Sequence, residues 1–211
     1  MFFFDFCIKS KTVGKFELSN SEIESIKSTI CQLMPMSDSQ AEVFLKGMQI
    51  RCFEKNELII KSGKIEPYLS IVIRGLTRHY ILKDGEDISF DFSFQHEFNS
   101  SFASFVQQQP SQFNIEALQP TILASFSYDY LQNLYKKYPA SNLFGRLAVE
   151  EYFVLREKRE LSLLTENATE RYKNLLQQQP IYVKQIPLKY LATYLNIKPE
   201  SLSRIRKKID F

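Results

Sequence analysis

No tryptophan occurs in the 211 residues, and histidine and cysteine are scarce. The two histidines, His79 and His96, are 17 residues apart and lack His-x-His spacing, so the donor set of a metal-dependent cupin enzyme is missing. Three cysteines, Cys7, Cys31 and Cys52, are scattered and odd in number, with no C-x-x-C pair. They read as reduced thiols of a cytoplasmic protein, not as a disulfide framework or a four-thiolate cluster. No G-x-S-x-G elbow and no P-loop is found, so the expectation is a protein that is not an enzyme and carries no cofactor or metal. No apolar run approaches the roughly 20 residues needed to cross a bilayer. Met1 to Phe4 is apolar, but Asp5 and Lys9 interrupt it and no basic segment precedes it, which is not the pattern of a signal peptide. A soluble protein with no membrane partner is expected.

What is present is aromatic, charged and strongly patterned. Hydrophobic residues make up 44% and charged residues 24%, the balance of a globular chain, with 18 Phe and 11 Tyr. Charge is segregated. From Ile181 to Phe211 there are seven Lys or Arg against two acids, a net +5, while the whole chain is +3, which leaves −2 for residues 1 to 180. That basic end, QIPLKYLATYLNIKPESLSRIRKKI from Gln185 to Ile209, accommodates two short amphipathic helices. The first starts at Pro187 and points Leu188, Leu191, Ala192 and Leu195 inward. Asn196 suits a turn that needs positive φ. Pro199 opens the second helix, where Leu202, Ile205 and Ile209 form one apolar stripe. Its other face carries Glu200, Ser201, Ser203, Arg204, Lys207 and Lys208, with Lys198 just ahead. A solvated helical hairpin would share the apolar stripe; the concentration of positive charge favours a helix-turn-helix that enters a DNA major groove.

The rest of the chain divides by period. Residues 1–20 read as an N-terminal arm or an extra strand, whose Phe cluster should find an apolar surface. Ser21 to Leu33 has helical spacing and a possible capping box at Ser21 and Glu24; Ser37 to Lys46 is a second helix closed by Gly47. Gln49 to Ile60, Tyr68 to Ile81, Asp87 to Phe94, Phe113 to Leu118 and Thr121 to Phe126 have strand composition, with turns at Ser62-Gly63, Gly75 and Asp84-Gly85. Ile88 to Phe94 alternates apolar and polar strictly. After Tyr128 the pattern turns helical: a short helix to Tyr138, a long one from Ser141 to Leu164, and one capped by Asn167 and Glu170 that runs to about Gln177. Gln177 to Pro180 reads as a linker. The long helix has apolar residues on too many sides for one contact. Leu143, Phe144, Leu147, Ala148, Tyr152 and Leu155 lie on one side and Val154, Leu161 and Leu164 on another, so one face should pack on the barrel and the other on a second copy. Pairing with a second copy is expected, with Leu147, Val154 and Leu161 at the dimer interface.

A β-roll, a long helix and a C-terminal helix-turn-helix in this order resemble the Crp/Fnr family of bacterial transcription regulators. The resemblance runs from about Ser21 to the end of the chain. It is most specific at Gly63, Gly75 and Gly85 and in Leu202-Ser203-Arg204. It implies an α+β fold: an antiparallel, jelly-roll-like β-roll with flanking helices over 21–138, a dimerisation helix over 139–164, and a winged-helix-like helix-turn-helix over 165–211. It further implies a homodimer on a two-fold symmetric double-stranded DNA site, RNA polymerase as a further partner, and a small-molecule effector for the barrel. In the family a Glu near the start of the recognition helix and an Arg one turn later contact bases; Glu200 and Arg204 occupy those places. An Arg often precedes that Glu, and here Pro199 stands instead. Because the sequence ends at Phe211, any wing is expected to be short or missing.

Cyclic-nucleotide sensors of the family carry a Gly-Glu pair for the ribose and, further along, an Arg-Ser pair for the phosphate. Here Ser100-Ser101 and Ser111-Gln112 stand at those positions, and no Lys or Arg occurs between Lys83 and Lys136. A phosphate buried there would lack a counter-charge. No tight cAMP or cGMP binding is expected, with Arg78, Ser100, Ser101, Ser111 and Gln112 lining a degenerate pocket; Arg78 and His79 could enter it from a neighbouring strand, but a strand Arg or His is more often a surface or rim residue. The alternative is a regulator-derived module that acts through a protein partner or an unidentified small ligand, without specific DNA reading.

Overall fold

The computed structural model describes residues 21, 24, 28, 45–138 and 140–209. The expectations for the arm at 1–20, and for most of the two helices before Gly47, lie outside these residues; Ser21, Glu24, Ser28 and Leu45 are helical.

Eight strands follow: β1 (Met48–Phe53), β2 (Leu58–Ile60), β3 (Tyr68–Arg74), β4 (Thr77–Lys83), β5 (Glu86–Ser93), β6 (Phe98–Asn99), β7 (Asn114–Ala117) and β8 (Thr121–Ser127). They form two four-stranded sheets, ordered β1-β8-β3-β6 and β2-β7-β4-β5. Central strand β8 pairs antiparallel with both β1 and β3, so Ala124 lies opposite Ile50 on one side and Ile71 on the other. Two of the predicted strands are each broken in two. The break between β3 and β4 falls at Gly75, whose φ of 112° is a left-handed value that favours glycine. A Cβ there would also stand 2.7 Å from the Thr121 Cα, so only glycine lets the two turns approach. Asp84 and Gly85 take φ of 53° and 81°, which gives the β4–β5 hairpin its tight two-residue turn. Phe53, Ile59, Ile60, Val72, Ile115, Ala117 and Leu123 make the apolar core of the sheets.

Seven helices complete the described chain: α1 (Phe102–Gln107), α2 (Tyr128–Lys137), α3 (Ala140–Thr165), α4 (Ala168–Gln178), α5 (Pro180–Gln185), α6 (Leu188–Tyr194) and α7 (Pro199–Ile209). Residues 140–209 contain no strand. Asn167 caps α4 through the Thr169 and Glu170 N–H groups, and the Glu170 carboxylate accepts from the Asn167 N–H, a complete capping box.

One expectation needs correction. The linker read at Gln177 to Pro180 is mostly helix. Gln177 and Gln178 end α4, the break is confined to Gln179, and Pro180 opens α5, because a proline at the first helical position gives up an N–H with no intrahelical partner. In β5 the alternating serines, Ser89 and Ser93, are buried, while Ile88 and Phe90 are only half-buried; the Ser89 N–H donates to Thr193 Oγ1 and Ser93 Oγ lies 3.3 Å from His79 Nε2. Pro187 is the N-cap of α6 and the helix begins one residue later.

The described chain falls into two compact units. One takes the described residues up to His79 together with Phe92–Arg146; the other takes Tyr80–Asp91 together with the described residues from Leu147 onward.

Candidate nucleic-acid interface and sensor cassette

Helix α6, a short turn and helix α7 form the helix-turn-helix. Leu191 and Ala192 on α6 and Leu202 on α7 are fully buried, so the two helices close on an apolar contact read from the sequence stripe. Asn196 adopts φ 54°, and the Ile197 N–H donates back to Ala192 O at 3.0 Å, which closes the turn. At the start of α7, the Ser201 and Leu202 N–H groups donate to Lys198 O. The face away from Leu202 is open. Lys198, Glu200, Arg204, Lys207 and Lys208 are exposed, and Ser201 and Ser203 are half-buried beside them. Arg204 Nη2 donates to Ser201 Oγ at 3.3 Å, one turn back along the same face. Glu200 in the first turn and Arg206, Lys207 and Lys208 in the last also complement the helix dipole.

Helix α3 runs 26 residues with apolar side chains around much of its circumference. Among its described side chains Leu143, Leu147, Val154, Leu161 and Leu164 are exposed, Leu161 by 53% and Leu164 by 77%. Tyr152 and Leu155 are also exposed, and Phe153 is bare by 67%. So many large apolar groups exposed on one element mark a surface that takes a partner.

Ser100, Ser101 and Ser111, three of the four residues at the cassette positions, are held by the chain's own hydrogen bonds. Ser101 Oγ and Ser111 Oγ lie 2.8 Å apart, and because Ser111 donates to Phe113 O at 2.7 Å, Ser101 is the donor of the pair. The Ser100 hydroxyl donates to Tyr68 O. Glu66, which sequence reasoning missed, lies buried against them. Its carboxylate accepts from the Tyr68 N–H at 3.1 Å and the Ser101 N–H at 3.4 Å, and its own N–H donates to Ser104 Oγ. Ser104 Oγ in turn donates to Gln109 O. Burial pushes the Glu66 carboxyl pKa up, partly offset by these hydrogen bonds and by the Arg51 guanidinium. Arg51, from β1, sits 4.4 Å from the Tyr68 ring centroid and 4.9 Å from that of Phe53; burial draws its pKa down. The positive charge of this region therefore comes from a strand outside the stretch where the sequence has no cation.

Arg78 Nη2 pairs with Glu116 Oε1 at 2.8 Å, both groups well buried, and Gln112 is exposed. His79 takes a different environment: its Nε2 lies 3.3 Å from both Ser93 Oγ and Asn99 Oδ1, and its ring stacks on Phe113. Among the described residues no group of three metal-ligating side chains is found, and no helix is long and apolar enough to cross a membrane.

Residues 50–138 match the family model described as the cyclic nucleotide-binding domain. Several solved structures are similar over most of the chain. The c-di-GMP-responsive global regulator CLP of Xanthomonas campestris is 18% identical, with a TM-score of 0.64 over 82% of this chain and 92% of its own. FixK2 of Bradyrhizobium japonicum is 19% identical, with a TM-score of 0.62 over 77% and 84%. A putative crp/fnr-family transcriptional regulator of Eubacterium rectale is 18% identical, with a TM-score of 0.63 over 83% and 84%. No curated protein sequence matches the chain.

Proposed function

We propose that this chain, a Crp/Fnr-type regulator with a cyclic nucleotide-binding roll at residues 50–138, reads a two-fold symmetric DNA site as a homodimer without cAMP. One observation supports the DNA reading above all: α7 buries Leu202 and turns Glu200, Arg204, Lys207 and Lys208 outward together, with Lys198 exposed just ahead of it. Arg204 is suited to a bidentate pair with guanine O6 and N7, and Glu200 to accept from cytosine N4. Lys207 and Lys208, further along the helix, suit phosphates, which set orientation and supply affinity without sequence preference. The bare apolar side chains of α3, Leu147, Val154 and Leu161 among them, support pairing with a second copy. In this reading the protein is a cytoplasmic, non-enzymatic regulator, with RNA polymerase as a further partner.

Independence from cAMP is supported by the cassette. Where a nucleotide sensor keeps a Glu and an Arg ready for the ligand, Ser101 and Ser111 bond to each other, and the Glu66 carboxylate takes the Ser101 N–H. An incoming phosphate would displace these bonds and sit beside an acid. An effector of the barrel would therefore be less charged than a cyclic nucleotide.

The test is selection of duplexes from a random or genomic pool by the purified protein, with affinities read by fluorescence anisotropy with and without cAMP. Enrichment of a palindrome at equal affinity in both conditions is the expected result. Enrichment only with cAMP would overturn the cassette argument, and no enrichment would leave α7 without a sequence to read.

A further inference from the structure

The last carbonyls of a helix have no following N–H to meet, so something outside the helix must satisfy them. At the end of α6 two arginines do so. Arg159 Nη2 donates to Tyr194 O at 2.7 Å, and Arg171 Nε donates to Leu195 O at 3.1 Å. The Arg159 guanidinium also lies over the Tyr194 ring, 3.6 Å from its centroid, and that ring is buried against Tyr182. Arg171 donates a second bond to the carbonyl of Glu166, the first residue after α3. Helix α6 has no basic residue in its own last turn, so both cations at its negative end come from other helices. The next residue is Asn196, where the chain turns toward α7. Helix α6 is also held by the β4–β5 hairpin, through the Ser89 N–H to Thr193 Oγ1 at 3.1 Å and Lys189 to Asp87 at 3.4 Å.

Arg159 differs from Arg171 in where it comes from. It is a residue of α3, the helix whose apolar side chains are bare. With about 100° of turn per residue, it lies roughly 140° from Val154 and roughly 160° from Leu161, nearly opposite the face assigned to pairing. One helix thus offers an unpartnered apolar face in one direction and grips the helix-turn-helix in the other. Within a turn of that grip, Arg156 meets Asp91 at 3.7 Å, so the same face of α3 also engages the hairpin that supports α6.

We propose that Arg159 is a positioning residue that sets the recognition helix against the pairing helix, and so sets which half-site spacing the dimer accepts. This rests on the dimeric DNA reading above. If α3 pairs with its copy, the separation of the two α7 helices follows from how firmly each helix-turn-helix is fixed to its own α3. A planar guanidinium that bonds the Tyr194 carbonyl and stacks on its ring restrains both distance and angle, which a lysine ammonium does not.

The test measures affinity for duplexes that keep the two selected half-sites but change the spacer one base pair at a time, for the wild type, Arg159→Lys and Arg159→Gln. The wild type should peak sharply at one spacing. Arg159→Gln should lose about tenfold on that duplex, the size of one charge-assisted hydrogen bond, and bind the neighbouring spacings almost as well as the best one. Arg159→Lys should fall between the two. Sedimentation and thermal melting accompany each variant. A loss of equal factor at every spacing, with the peak as sharp as before, would show that Arg159 only stabilises the fold and would overturn the proposal. So would variants that sediment as monomers, since the arginine would then act on pairing. A wild type with no preferred duplex at all would instead remove the DNA reading on which the proposal stands.

Discussion

At Arg204 the side chain is exposed and its neighbour on the same face is Ser201, to which it donates at 3.3 Å. Removing it should leave the fold intact and act on recognition alone. Arg204→Ala is expected to weaken binding to the selected palindrome by about 1–3 kcal/mol and to relax preference at one base pair of each half-site. Competition with single-base variants of the duplex measures both; unchanged affinity would exclude α7 as the reading element. Glu66 poses the opposite problem, an acid inside the roll whose pKa is raised by burial from its ordinary 4.5. A raised folded-state value means that its contribution to stability is fully present below the unfolded value and is lost as pH rises through the folded one. Glu66→Gln keeps an acceptor for the Tyr68 N–H but cannot ionise. The melting temperature of Glu66→Gln minus that of the wild type should therefore grow as pH rises from about 4.5 toward neutrality. A flat difference across that window would mean that Glu66 is not desolvated in the folded protein.

At the scale of single elements, α3 is the least settled as a lone helix. Its exposed apolar residues recur along its length, and Leu147, Val154 and Leu161 stand at successive seven-residue steps. Such a seam is stable only when a second helix covers it. Val154→Glu should convert a sedimenting dimer into a monomer at micromolar concentration and lower palindrome affinity toward that of one half-site, with the monomer's helical circular dichroism largely kept. A wild type that sediments as a monomer would refute the pairing. The shorter elements owe their limits to local chemistry that sequence already displays. Asn167 with Glu170 caps α4, Asp84-Gly85 turns the hairpin, and Asn196 takes the positive φ that separates α6 from α7. Others were hidden. The six-residue α1 and the two-residue β6 are too short to show a period, and α5 was obscured because its opening Pro180 resembles a linker residue.

For the whole molecule the controlling feature is charge segregation. The last 31 residues carry +5 and the first 180 carry −2, so DNA would be drawn to one end of the chain and repelled mildly elsewhere. Binding should fall steeply with salt, with a log–log slope of about −0.9 for each phosphate neutralised. Lys207→Gln and Lys208→Gln should each shallow that slope by about 1 and weaken all duplexes alike, in contrast to Arg204→Ala. A slope unaltered in both variants would place the phosphate contacts elsewhere on the chain.

The division between what the chain declared in advance and what folding decided follows the range of the interactions. The helix-turn-helix, the capping box and the hairpin turn were legible because each depends on residues within a few positions of one another: a 3.6-residue stripe, a side chain reaching its own backbone, a residue that tolerates positive φ. The missing cassette charges were legible for the same reason, as an absence of Lys and Arg along one stretch. What replaced those charges was not. Arg51 reaches Tyr68 and the field of Glu66 from β1, Arg78 finds Glu116 on β7, and Arg159 finds the Tyr194 carbonyl 35 residues further on. Those partners are brought together by strand pairing and helix packing, and no periodicity along the chain records them. Burial then decides their chemistry, because the cost of desolvating a charge depends on what tertiary structure sets around it.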